Sequence, residues 1–331
     1  MYEVSPFWHG ALRLGGAIRW VEAARLAGSA AELERRGPDG LMLHGARSKT
    51  IATWRRLPGL RSRGRPLLVG TADWPARLCV LPLPPGALLV EGEPERLGER
   101  SVAVVGTRRS TAHGDAVARH LGSALTGAGL TVISGLARGI DGAAHRGAIG
   151  RTVAVFGHGL GTTAPPAHRG LRAALLERGG AAVSLWPDDV MPDPWRFPAR
   201  NAVVAALAEV VIVVEAPKRS GALITARLAG ECGREVAVVA PKAGEDWSEG
   251  CAKLRDEGAS VIQDPDAFVA TLSGGPRASR QVWEVALFQG ARIEEAAQVA
   301  GIDVRALSRL LAMAEMDGRI VRMAGGRWAP A

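Results

Sequence analysis

Four stretches of this chain set arginine or lysine among glycines, hydroxyls or aromatic rings. They are VVGTRRSTAHG (Val104 to Gly114), SGLARGIDGAAH (Ser134 to His145), WRFPARN (Trp195 to Asn201) and VVEAPKRSGALITA (Val213 to Ala226). Each combination suits an anionic ligand. Gly106 lets the backbone approach closely, the N–H groups of a helix starting just beyond it suit a phosphate, and Arg108 and Arg109 add bidentate contacts. In the second stretch Gly135 and Gly139 flank Arg138, which no core requires. Asp141 either caps the following helix or faces the ligand, and His145 reads as helix surface. In the third, Arg196 and Arg200 alternate with Trp195 and Phe197, the mixture of cations and ring faces that holds single-stranded nucleic acid. An ordinary loop anchored by its aromatics is the plainer alternative. In the fourth, Lys218, Arg219, Ser220 and Gly221 form a basic turn whose amides and hydroxyl again suit a phosphate, with Thr225 on the next helix. Glu215 ends a strand, either as an acid or base or as an ion-pair partner for the arginines.

Other chemistries lack their residues. There is no GxxxxGK[ST] loop for P-loop hydrolysis of ATP, no clustered His/Cys/Asp set for a metal and no GxSxG elbow. The first turn is not GxGxxG, and no acidic residue ends the next strand to meet a ribose, which argues against a dinucleotide. No cofactor is expected, and the sequence reads as a binding protein rather than an enzyme.

The elements around these turns are strands and helices in alternation. Ser101–Gly106, Leu130–Ser134, Thr152–Phe156, Ala181–Leu185, Val210–Glu215 and Glu235–Ala240 are apolar on both faces, as strands covered by helices must be. The segments between them are long enough for right-handed crossovers. The fold class is therefore α/β: an extended Rossmann-like, doubly wound parallel sheet, with the arginine-bearing turns at the carboxyl ends of its strands. Residues 1–70 read as a small helical domain and residues 71–274 as the Rossmann-like domain, entered through a Pro-rich extended connector from Trp74 to Gly92. A linker from Ser273 to Arg280 leads to residues 280–331. There, helices over Trp283–Phe288, Ile293–Gly301 and Asp303–Gly318, then two short strands within Ile320–Pro330, predict a winged helix.

The formal net charge is +8, and residues 1–70 carry twelve Lys/Arg against five Asp/Glu. So basic a chain suits a polyanion, although an arginine-rich codon bias would also raise the charge. Cys79, Cys232 and Cys251 are far apart, with no CxxC pair, which suits a reducing compartment. No signal peptide and no apolar run of about 18 residues is read, so a cytoplasmic protein with no membrane span is expected.

With these motifs in this order, the chain resembles the DprA/Smf family of natural-transformation proteins. The family's GTR turn matches Gly106, Thr107 and Arg108, and its SGxARGID motif matches Ser134 to Asp141, with Ala144 and His145 following. FPxRN matches Phe197 to Asn201, EA…RSGxLxTA matches Glu215, Ala216 and Arg219 to Ala226, and LLVEG lies at Leu88 to Gly92. The likeness covers about Trp74 to Gly274. It implies a domain that binds single-stranded DNA, usually as a homodimer, protects incoming DNA and loads a RecA-type recombinase on it. It implies a SAM-like or helix-hairpin-helix-like N-terminal module. It also implies that Gly106, Thr107, Arg108, Ser134, Gly135, Arg138, Gly139, Phe197, Arg200, Asn201, Arg219, Ser220 and Gly221 line or support the DNA site. Arg109, Arg196 and Lys218 join them from their places beside the motifs. Two positions depart from the pattern: Ala202 replaces an arginine, and Pro241-Lys242 replaces Pro-Gly. Arg305 and Arg309 lie four apart on one helix, but charge over the last module is nearly balanced, so DNA contact and protein contact both stay open there. Two other readings remain. A nucleoside-monophosphate phosphoribohydrolase of related fold would need a PGGxGT-type turn where this chain has KRSG. A protein-interaction adaptor would not use the pocket at all.

Overall fold

The chain is described by a computed structural model over residues 1–14, 18–242, 244, 246, 248–273, 287, 292–300, 304–316, 320–322 and 328–330. Four short helices come first: α1 (Pro6–Leu14), α2 (Trp20–Ala27), α3 (Ala30–Arg36) and α4 (Ser48–Trp54). Local chemistry sets their ends. Ser29 accepts from the Glu32 amide at the start of α3, and Gly28, at φ 86°, closes α2 in the left-handed conformation that side chains resist. Strand β1 (Tyr2–Val4) pairs antiparallel with β2 (Leu60–Ser62), a ribbon that the helical pattern does not predict. Phe7, Trp8, Trp20 and Trp54 pack ring to ring with centroids 4.9–6.2 Å apart.

The main sheet begins with β3 (Arg65–Leu68) and β4 (Ala87–Gly92). The six expected strands follow as β5 (Ser101–Val105), β6 (Thr131–Ser134), β7 (Thr152–Phe156), β8 (Ala181–Ser184), β9 (Val210–Val213) and β10 (Glu235–Val239), and β11 (Ser260–Ile262) ends the series. Their order is β11-β10-β9-β5-β6-β7-β8-β4-β3. Pairing is parallel from β11 to β8, but β4 is antiparallel to β8 and β3 to β4, which corrects the expectation of a wholly parallel sheet. The Pro-rich passage is likewise more than a connector. Its end becomes β4, whose Leu88, Leu89 and Val90 are buried and cover the otherwise open edge of β8. Strand β3 also brings residues 65–68 into the sheet, upstream of residue 71.

Helices cover both faces. On one lie α5 (Ala112–Gly127), α6 (Ile140–Gly147) and α11 (Pro265–Ser273), packed through Leu121, Ile140 and Phe268. On the other lie α7 (Arg169–Glu177), α8 (Arg196–Leu207) and α9 (Gly221–Glu231). The N-terminal rings belong to this second core without a break, Trp20 filling the space that a Cβ on Gly86 would need. Asp188 fastens the same junction by accepting from the Ser62 hydroxyl and the Arg63 amide, both at 2.8 Å, and Arg13 pairs with Asp189 at 2.8 Å.

Beyond them α10 (Glu249–Asp256) precedes β11, and the last described elements are α12 (Ile293–Ala300), α13 (Val304–Met316) and an antiparallel pair, β12 (Ile320–Arg322) with β13 (Trp328–Pro330). They share a small core of their own through Leu287, Ala296, Leu307 and Ile320. The helix expected over Trp283–Phe288 lies outside the described residues except for Leu287, as do the linker residues 274–280 and the Arg309 side chain. Among the described residues no helix is long and apolar enough to cross a membrane.

The chain runs from β5 outward through β6, β7 and β8, then returns to the other side for β9, β10 and β11. The sheet order therefore reverses between β5 and β9. The carboxyl ends of those two strands border the crevice where such sheets bind ligands.

Candidate functional site

The turn after β5 is shaped by packing as much as by any ligand. A Cβ on Gly106 would lie 2.5 Å from Ile140 Cγ1 and 2.9 Å from the Glu215 carbonyl, so the glycine lets β5, α6 and the end of β9 close together. The Thr107 amide donates to that same carbonyl at 2.7 Å. The start of α5, expected to cradle a phosphate, is already filled. The Glu215 carboxylate accepts from the Thr111 amide at 2.9 Å and from the Thr111 hydroxyl, and the missing side chain of Gly114 makes room for it. Glu215 is thus a helix cap rather than an ion-pair partner of the arginines. The open cradle is at α9, where Ser220 accepts from the Ala222 amide at 3.2 Å and Gly221 is exposed.

The SGLARG turn after β6 is held from beneath. The Ser134 hydroxyl donates to the Val104 carbonyl at 2.6 Å, tying β6 to β5. Leu136 is fully buried in a left-handed conformation, φ 53°, which costs a branched side chain energy and persists only where its surroundings demand it. Two histidines supply that demand. The Leu136 amide donates to His145 Nε2 at 3.3 Å, and His168 Nδ1 donates to the Leu136 carbonyl at 2.9 Å. His145 Nδ1 in turn donates to the Thr152 hydroxyl, which donates to the Val132 carbonyl. Burial pushes His145 down to about 3, with His168, Arg200 and Arg146 acting in the same direction, so it is neutral. It is a buried brace, not the surface residue that the sequence suggests. Gly139, at φ 70°, is itself the cap position of α6, so Asp141 is not the cap. The Asp141 carboxylate accepts from the Gly135 amide at 3.2 Å instead.

These turns enclose a cavity of about 420 Å³. Of the expected residues, Gly106, Thr107, Arg108, Arg109, Phe197, Arg200, Asn201, Arg219, Ser220 and Gly221 line it. WRFPARN, expected in a loop, enters as the first turn of α8, which points Phe197, Arg200 and Asn201 inward. Ser134, Gly135 and Gly139 support the walls from behind, and Arg138 and Lys218 stand exposed outside the lining. Arg196 is turned away: it donates to the Met191 carbonyl at 2.7 Å and lies 4.7 Å over the ring of Trp195.

Arg200 is only 5% exposed. Its Nη1 is 3.9 Å from the Asp141 carboxylate, its Nε has no partner, and a Cβ on Gly135 would sit 1.2 Å from Nη1. Gly135 therefore exists to admit a guanidinium. Burial lowers the Arg200 pKa and raises that of Asp141, and Arg108 works against the Arg200 charge as well. Both guanidiniums lie over Phe197, Arg108 at 4.9 Å and Arg200 at 5.9 Å from its centroid. Sequence reasoning missed the apolar wall, which includes Val105, Val204, Pro217 and Ile224. The signal was present for one of these, since Val204 lies four residues after Arg200 on one helix face. The arrangement is a cationic rim around a cavity with apolar sides and a buried donor at its floor.

A model of the family described as DNA recombination-mediator protein A matches residues 65–273. Protein Smf of Escherichia coli (strain K12) is 43% identical over 213 residues, covering 63% of this chain and 54% of that protein, so the match spans about half of the relative's length. The putative DNA processing protein DprA of Mycobacterium tuberculosis is 33% identical over 341 aligned positions, 93% of this chain and 83% of that one. Among solved structures, DNA processing protein A of Streptococcus pneumoniae is similar at 27% identity and TM-score 0.62, covering 81% of this chain and 98% of that one. The Helicobacter pylori protein, described for its single-stranded DNA binding mode, is similar at 28% identity and TM-score 0.57, covering 64% and 98%.

Proposed function

The chain belongs to the DNA recombination-mediator protein A family, and from that premise we propose that it binds single-stranded DNA across the carboxyl edge of its sheet. Binding is sequence-tolerant and involves no chemistry on the strand. Its phosphates run along Arg108, Arg109, Arg138, Lys218 and Arg219, with the Ser220–Gly221 turn as a further cradle and Arg200, Phe197 and Asn201 within. The turns around Ser134, Gly135 and Gly139 hold these groups in place, and Arg196 keeps the neighbouring Trp195 segment in shape.

One contrast supports the reading. Elsewhere many arginines are spent on carboxylates: Arg77 and Arg100 on Glu209, Arg96 and Arg151 on Glu99, Arg65 on Asp73. Around the cavity Arg109, Arg138, Lys218 and Arg219 are exposed and make no side-chain ion pair among the described residues. Keeping cations unpaired beside one another is unfavourable unless a polyanion completes them. In the wider proposal, the protein acts in the cytoplasm as a homodimer, protects the strand and helps load a RecA-type recombinase during natural transformation. Residues 1–70 form a SAM-like or helix-hairpin-helix-like domain, 71–274 the Rossmann-like domain and 280–331 a winged helix.

The test is an anisotropy titration of labelled oligo-dT against a duplex of equal length at two salt concentrations. Single-strand preference is expected, with log affinity falling by about 0.7 per log salt for each phosphate engaged. Arg108→Ala is expected to weaken binding to every sequence about five- to tenfold and to make that slope shallower by about 0.7. Equal affinity for the duplex, or insensitivity to salt, would overturn the proposal.

A further inference from the structure

We propose that the cavity receives one nucleobase of the bound strand, turned inward so that a ring carbonyl accepts from Arg200. The inference rests on the single-strand reading above and names what enters the cavity rather than what lies along its rim.

Arg200 carries the argument. A guanidinium is donor only, with five N–H groups, and buried donors normally have acceptors. This one lines the cavity, is 5% exposed, makes no hydrogen bond among the described residues and has an unpartnered Nε. The floor therefore lacks an acceptor that a ligand can bring. Two observations say that the acceptor is a base carbonyl rather than a phosphate oxygen. Asp141 stands 3.9 Å from Arg200, so the pair is close to neutral together and its carboxylate repels a phosphate from the floor. The sides are apolar, from Val105, Val204, Pro217 and Ile224, and offer a phosphate no donors. A base has flat apolar faces for such walls and a carbonyl on its edge for the arginine. About 420 Å³ is within the roughly 300–1,000 Å³ of pockets that enclose small ligands, enough for one nucleoside. Arg108, Arg109 and Arg219 at the rim then meet the phosphates on either side. Thymine, guanine and cytosine carry a carbonyl and adenine does not, so the preference is mild in mixed sequence and disfavours runs of adenine.

Three labelled hexamers test this: one of thymidine, one of the difluorotoluene isostere that keeps thymine's shape without its carbonyls, and one of abasic units. Wild-type protein is expected to bind the thymidine hexamer at least about tenfold more tightly than either of the others. In Arg200→Met the gap between thymidine and isostere should close. Should that variant fail to fold, Gly135→Ala provides the same readout, because its Cβ displaces the guanidinium without removing the charge. Abasic and thymidine hexamers that bind wild type alike, with salt-dependent affinity, would overturn the base pocket and leave the single-strand reading standing. No binding of any hexamer, nor of longer oligo-dT, would overturn both.

Discussion

The Leu136 peptide is gripped by an imidazole on each side, and one of them, His145, makes the turn sensitive to pH. The folded chain holds His145 at about 3, against an ordinary value of 6.5, because burial disfavours its charge. Below pH 6.5 the unfolded chain takes up a proton that the folded one refuses. Stability therefore falls as pH drops from 6.5 towards 3, by at most about 1.4 kcal/mol per unit from this group. His158, lowered by burial, acts in the same sense, whereas buried Asp141, raised, acts in the opposite one. The contribution of His145 is thus read as a difference. Urea unfolding of wild type and His145→Gln at pH 8, 6.5, 5.5 and 4.5 should show a flatter decline in the variant below 6.5, and parallel curves would refute the assignment. Little of this was legible in the sequence. The arginines and glycines of the site announce themselves because they are adjacent in the chain. The partners of His145, at Leu136 and Thr152, are set by the crossing of β6, α6 and β7, and a helical His between alanines gives no sign of that.

Helices and strands of the sheet were legible for the opposite reason: their periodicity is local. Two elements escaped. Strand β4 follows prolines that read as a connector, and only the open edge of β8 calls it into the sheet. The first turn of α8 contains Pro198, which suggested a loop, although proline is tolerated in a first turn because its amide would have no helical partner there. The start of α5 is where an element-scale prediction belongs. Its capping carboxylate comes from Glu215, 104 residues away from Thr111 in the chain. Glu215→Ala should remove this cap and the favourable charge at the helix N-terminus together, at a cost of about 1–2 kcal/mol. Glu215→Gln, which still offers an acceptor, should cost less. The order of the two variants in a urea titration is the check, and an alanine variant as stable as wild type would mean that the carboxylate does not hold the helix.

At the scale of the molecule the question is how many units unfold. Sequence patterning marks residues 1–70 as a separate helical domain, yet Trp8, Trp20 and Trp54 lie in one continuous core with Leu89, Phe156 and Val203 of the sheet unit. Burying such rings contributes about 25 cal/mol per Å² of apolar surface, and removing them would bare one face of β4. The Asp188 hydrogen bonds and the Arg13–Asp189 pair add little energy where exposed, but they fix the orientation of that contact. The described C-terminal elements differ. Their core is their own, and the ion pair from Arg25 to Glu295, roughly half and a quarter exposed, is worth less than about 1 kcal/mol. Calorimetry of the full chain should therefore show residues 1–273 melting as one transition. A chain ending at residue 273 should keep that transition within about 2–4 °C, the shift that 1 kcal/mol makes in a unit of this size. A chain beginning at residue 60 should lose it or melt far lower, because a sheet face packed against tryptophan is left to water. If instead the N-terminal helices melt on their own and the sheet keeps its midpoint without them, the shared core does not bind the two into one cooperative unit.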